Sequence, residues 1–84
     1  KDTDKASVFK NLGKCYISLS EFDKAKNHLN KALDILEKSE KPNILYETYT
    51  LLAELYSLTE DFKKAYDFSN KSKDVLEKSY KDNK

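Results

Sequence analysis

Apolar residues along this chain recur at helical steps. Phe9, Leu12, Tyr16 and Leu19 form one stripe, and a second runs through Phe22, Ala25, Leu29, Ala32 and Leu36. Steps of three and four residues place such positions on one face of an α-helix. Tyr49, Leu52 and Tyr56 carry a third stripe, and Phe62, Ala65 and Leu76 a fourth. The pattern predicts four helices, near 4–19, 21–39, 43–58 and 60–80. Between the first two, "SLSEF" offers Ser20 as a cap with Asp23 three residues on, a capping-box arrangement. Acids open the second and fourth helices (Glu21, Asp23; Glu60, Asp61) and lysines close them (Lys38, Lys78), the polarity the helix dipole favours. Pro42 suits a first helical turn and stops the preceding helix from running on.

The stripes repeat at a fixed distance. "NKALDILEKS" (30–39) and "NKSKDVLEKS" (70–79) share seven of ten residues, and at a spacing of forty the chain has 14 identities in 39 pairs. Internal repetition of this length marks stacked supersecondary units. Repeat one spans about 4–40 and repeat two about 43–80 of a single unit, 1–84. Lys1, Lys41 and Lys81 fall in register, so "KDTD" and "KDNK" read as the junction "KPNI" does. A slice from a longer array is therefore expected.

Composition narrows the class to all-α. One glycine and one proline leave little material for hairpins. The 84 residues bury only roughly 60–65% of their unfolded surface, so the core must be thin. One cysteine excludes an internal disulfide and fits a reducing compartment. Sixteen lysines against fifteen acids give no net field to draw nucleic acid or an anionic membrane, so neither is an expected partner. No apolar run approaches the ~20 residues of a membrane helix.

Phe9-x2-Leu12-Gly13-x2-Tyr16, followed by Ala25-x3-Leu29 and Ala32, resembles the tetratricopeptide repeat, with its W-x2-L-G-x2-Y…A-x3-F…P pattern over 34 residues. The second copy matches through Tyr49-x2-Leu52-Ala53-x2-Tyr56 and Ala65. Small residues at Gly13, Ala53, Ala25 and Ala65 let paired helices approach, and Tyr16 and Tyr56 fill the angle between them. Three features depart from the pattern. The period is forty, Glu37 and Glu77 replace the terminal proline, and Ser69 and Ser72 replace core residues of the last helix. Longer repeats of this kind are similar to those of bacterial sensor histidine kinases and peptide-responsive regulators.

The resemblance implies antiparallel helix pairs stacked as a short right-handed solenoid. Its first helices would line a concave groove for a protein or peptide segment. By that geometry the groove is lined by Ser7, Lys10, Asn11, Lys14, Ile17 and Ser18 in copy one, and by Glu47, Thr50, Leu51, Glu54, Ser57 and Leu58 in copy two. Lys10, Asn11, Lys14, Glu47, Thr50, Leu51, Glu54 and Leu58 are the candidate partner-binding residues. Leu51, Leu55 and Leu58 give helix 43–58 a second apolar side, to be covered by a ligand, a further repeat or a dimer partner. Lys14 and Glu54, equivalent on adjacent helices, can pair. Some family members clamp the terminal carboxylate of heat-shock chaperones, but only Lys10 fits that pattern here, and the role is not expected.

Function is then expected to be a protein- or peptide-binding scaffold within a longer cytoplasmic protein. The alternatives are a regulatory segment of a bacterial signalling protein, or a structural self-association element. Solenoid ends are normally capped, so open apolar ends predict self-association as concentration rises. No catalytic, metal or cofactor site is expected. His28 has no Cys or His partner at ligand spacing and reads as a solvated or half-buried helix residue. Cys15 has no evident base and reads as a small packing residue. No glycine-rich phosphate loop exists, and the acids are interleaved with lysines on polar faces.

Overall fold

The computed structural model describes residues 2–39 and 41–82. Four helices follow in order: α1 (Asp2–Ser18), α2 (Phe22–Leu36), α3 (Pro42–Leu58) and α4 (Phe62–Asp82). The pairs α1–α2 and α3–α4 pack most closely, α2 lies against α3, and α1 touches α3. The first helices of the two pairs are thus neighbours, and α4 rests on α3. Tyr80, Lys1, Asn83 and Lys84 lie outside the residues whose side chains are described.

Both hairpin turns have the same backbone, and it is not the predicted cap. Ser20 does not cap α2. It adopts a left-handed conformation (φ 61°), and Glu60 does the same forty residues later (φ 64°). Each closes its helix in a Schellman motif. The Ser20 N–H donates to the Ile17 carbonyl at 3.0 Å and the Glu21 N–H to Tyr16 at 2.9 Å, and Glu60 and Asp61 repeat this on Ser57 and Tyr56 at 3.1 and 2.8 Å. The next helix starts at once, since the Glu21 and Asp61 carbonyls accept from Ala25 and Ala65, each at 3.0 Å. Glu21, at the N-cap of α2, makes no side-chain cap bond. Asp61 accepts a long one from the Lys64 N–H, at 3.5 Å.

The α2–α3 connection is looser. α2 ends at Leu36, three residues short of the expected bound, so Lys38 lies beyond it rather than in its last turn. Pro42 opens α3, where a missing N–H costs nothing.

The core centres on the α2–α3 seam. Ala25, Leu29 and Leu33 of α2 meet Tyr49, Leu52, Leu55 and Tyr56 of α3, with Tyr16, Ile17, Ala65, Phe68 and Val75 packed around them. Ala6, Ala32 and Leu36 form a smaller cluster beneath Phe9, Ile35, Ile44 and Leu45. At Gly13, α1 lies close against Leu29 of α2. A Cβ there would stand 2.5 Å from Leu29 Cγ and 2.6 Å from Cδ2. Ser72 is buried and satisfied, its hydroxyl donating to the Ser69 carbonyl at 2.7 Å. Tyr49 donates to Glu37 Oε2 at 3.3 Å across the seam. Burial, and then the Glu37 carboxylate, push the Tyr49 phenol above its ordinary range.

Several stripe residues are less covered than their spacing predicts. Leu12, Leu19, Phe62 and Leu76 are exposed, and Cys15 is exposed rather than packed. All belong to the outer helices or to turns, where no neighbouring helix lies on that side. Tyr66 is exposed as well.

One packing device occurs twice. In repeat two, Phe68 lies between Tyr49 and Tyr56, with ring centroids 6.0 and 5.6 Å away and the second pair nearly parallel at 4°. Lys64 sits 5.4 Å from the Tyr56 ring, and Lys71 5.3 Å from Phe68 and 6.0 Å from Tyr49. In repeat one His28 takes the place of Phe68, 6.1 Å from Phe9 and 5.1 Å from Tyr16. Lys24 and Lys31 then lie 5.7 Å from Tyr16 and Phe9. Aromatic pairs and cation–π contacts each contribute about 0.5–1.5 kcal/mol. His28 is half-buried, as its position predicts, and its Nδ1–H donates to the Lys24 carbonyl at 2.8 Å. His28→Phe copies the repeat-two stack into repeat one. Urea unfolding at pH 7.5 is expected to show a gain of about 0.5–1 kcal/mol. A loss would mean that the Nδ1 hydrogen bond outweighs the ring contacts.

Candidate partner-binding groove

On α1, Lys10, Asn11 and Lys14 share a face because their spacing is one helical turn. On α3, Glu47, Thr50 and Leu51 do the same. Contact between α1 and α3 brings these faces together around a concavity of about 210 Å³, lined by Lys10, Asn11, Lys14, Tyr46, Glu47, Thr50 and Leu51. Six of the eight candidate residues therefore meet there. Glu54 and Leu58 do not line it; both are exposed further along α3. Leu51 is half-buried against the core and Leu55 is fully buried, so only Leu58 of that second apolar side is left open.

Tyr46 is the residue that repeat register did not pick out. Its counterpart forty residues earlier is Ala6, a buried core position. The available signal was its place one turn before Thr50, on the groove face of the same helix.

The walls differ chemically. Lys10 reaches across to Glu47, and its ammonium donates to Oε1. This fastens α1 to α3, a contact of about 0–1 kcal/mol. It replaces the expected pairing of Lys14 with Glu54, which is not an ion pair among the described residues. With Lys10 and Glu47 satisfied, Lys14 is the exposed cation of the α1 wall. Thr50 Oγ1 donates to the Tyr46 carbonyl at 2.9 Å, leaving its lone pairs to accept. The site therefore combines an apolar patch (Tyr46, Leu51), an amide (Asn11), a hydroxyl acceptor and an ammonium. Such a set can bind a peptide by side-chain burial and hydrogen bonding.

Three concavities are larger, of about 430, 450 and 310 Å³; the third, between α3 and α4, shares Tyr46 and Glu47 with the groove. The first is a furrow beside α4, walled by Lys71, Asp74, Val75, Glu77 and Lys78 with Tyr49 at its edge. The second is formed mainly by the turn between α1 and α2. None of the three joins the facing sides of α1 and α3. Among the described residues, no group of three or more His, Cys, Asp or Glu side chains is placed to hold a metal ion. No helix of the described residues is long and apolar enough to cross a membrane.

No curated protein and no solved structure matches the chain. The family model of the tetratricopeptide repeat does, over residues 6–39, from Ala6 in α1 to the turn after α2. The second pair, α3 and α4, repeats the turn of the first pair forty residues on. The chain carries a tetratricopeptide repeat at residues 6–39 and folds as an all-α helical repeat.

Proposed function

We propose that this chain is a protein-binding scaffold that receives a peptide segment in the groove between α1 and α3. Tetratricopeptide repeats mediate protein–protein interaction, and their scaffolds are non-catalytic. The observation that carries the reading is the convergence of Lys10, Asn11, Lys14, Glu47, Thr50 and Leu51, from two separate helices, on one concavity with Tyr46. A peptide would seat an apolar side chain on Tyr46 and Leu51 and place a carboxylate or carbonyl near Lys14 and Asn11. Exposed, single Cys15 is consistent with a reducing, cytoplasmic setting.

Peptides selected from a display library against the immobilised chain provide the test. Leu51→Glu is expected to weaken a selected peptide at least about tenfold, since it puts a charge on the apolar seat. Lys14→Glu is expected to weaken acidic peptides by about threefold to tenfold and to reduce the salt dependence. Lys10→Glu is a poorer probe, because it also breaks the contact with Glu47. Binding unaffected by either of the first two substitutions, with helicity retained, would rule out the groove.

A further inference from the structure

Charge is arranged differently on the groove than on the rest of the helices. On a helix surface, a residue's neighbours are those three and four positions away. Every charged residue of α2 and α4 has an opposite charge at such a position, as do Asp2, Asp4 and Lys5 of α1. Lys10, Lys14, Glu47 and Glu54 alone have none. Lys10 is followed by Gly13 and Lys14, and Lys14 by Ile17 and Ser18. Glu47 is followed by Thr50 and Leu51, and Glu54 by Ser57 and Leu58. These four residues lie on the groove side of the first helices, the cations on α1 and the anions on α3. Their charges can be met only from across the groove.

The chain itself meets one pair. Lys10 donates to Glu47, with the two side chains 17% and 56% exposed. Lys14 and Glu54 are exposed, and neither forms an ion pair among the described residues. Half-buried Leu51 separates them, since it lines the concavity with Lys14 and stands one turn before Glu54. Beyond the Lys10–Glu47 contact, the groove thus presents a cation, an apolar seat and an anion in that order.

On the peptide-binding reading of this groove, on which the inference rests, we propose that the partner segment carries both charges. An acidic residue meets Lys14, a basic residue meets Glu54, and an apolar residue between them covers Leu51. Charge complementarity identifies this occupant. A uniformly acidic segment sets a carboxylate against Glu54, a uniformly basic one sets an ammonium against Lys14, and like charges so placed oppose binding. Alternate residues of an extended segment face one side, about 6.8 Å apart. The pattern is therefore acid-x-apolar-x-base, read from α1 to α3. A given order of charges fits the two walls in one chain direction only.

Three end-blocked synthetic peptides, Glu-Ser-Leu-Ser-Lys, Glu-Ser-Leu-Ser-Glu and Lys-Ser-Leu-Ser-Lys, test the proposal by amide chemical-shift titration of the labelled chain. The mixed peptide is expected to bind the wild type about threefold to tenfold more tightly than either uniform one. Glu54→Lys is expected to transfer the preference to the acidic peptide, and Lys14→Glu to the basic one, with circular dichroism to verify folding. The double variant is expected to prefer the mixed peptide again, in the reverse direction. A nitroxide on the glutamate end then broadens amides near Glu54 most strongly, where in the wild type it broadens those near Lys14. Equal affinity of the wild type for the three peptides would overturn the proposal. So would a preference for the acidic peptide that Glu54→Lys leaves unchanged, or no groove shift from the mixed peptide up to about 10 mM. Library-selected peptides score the groove separately. If they shift Lys14 and Leu51 while the mixed peptide has no advantage, the groove stands and the charge order fails; if they bind elsewhere, both fail.

Discussion

Leu52→Ala is expected to destabilise the fold by about 3–4 kcal/mol, and Leu12→Ala by about 1 kcal/mol. The two leucines are the same residue at the same register position, forty apart. Leu52 is fully buried in the α2–α3 seam, so truncation removes its transfer energy and leaves a cavity that the packed seam cannot collapse. Leu12 faces the open side of α1, where water already reaches it and fills the vacated space. A domain of this size has a total stability of roughly 4–12 kcal/mol. Leu52→Ala therefore removes between about a quarter and nearly all of that stability, and Leu12→Ala far less. Urea denaturation followed by circular dichroism measures both. Equal losses would mean that the two sites are equally covered, against the fold described.

Gly13→Ala is expected to cost up to about 2 kcal/mol despite the better helix propensity of alanine. Propensity alone favours the change by about 1 kcal/mol. The new methyl would lie 2.5 Å from Leu29 Cγ, so Leu29 must move within a packed seam, and overpacking of this kind costs about 1–3 kcal/mol. The second repeat has solved the same contact differently, with Ala53 and Ser69 at the equivalent positions. Gly13→Ala with Leu29→Ala is accordingly expected to lose at least about 1 kcal/mol less than the sum of the single changes, because the added methyl occupies space the leucine gives up. Simple additivity would mean that Gly13 and Leu29 are not in contact.

The helices themselves are legible in the sequence because apolar periodicity is a local property. Phe9 to Leu19 and Phe22 to Leu36 mark their helices without reference to anything distant. Turn chemistry was less legible. Ser20 reads as a cap, but the backbone there needs a left-handed residue, and serine and glutamate fill that place at 20 and 60 with no glycine to signal it. Burial was legible only where neighbours lie on both sides. Leu12 and Cys15 match Leu52 and Leu55 in register, yet no helix stands over them.

The groove was largely predictable because it depends on which helices are adjacent, and repeat register supplies that. Its details depend on how far the helices are offset. Lys10 pairs with Glu47, whose register equivalent is Ser7, three residues earlier. A displacement of about one turn separates that pairing from the Lys14–Glu54 contact expected for helices in exact register. The same offset brings Tyr46 into the wall. Phe68 found its place by spatial proximity alone, between two tyrosines whose spacing says nothing about α4.

The most direct test of the account is an amide chemical-shift titration of the isotope-labelled chain with a library-selected peptide. Shifts centred on Lys10, Asn11, Lys14, Tyr46, Thr50 and Leu51, with α2 and the outer face of α4 unmoved, are the predicted result. Shifts centred on the α4 furrow around Lys71, Asp74 and Lys78, with the α1–α3 groove silent, would contradict it.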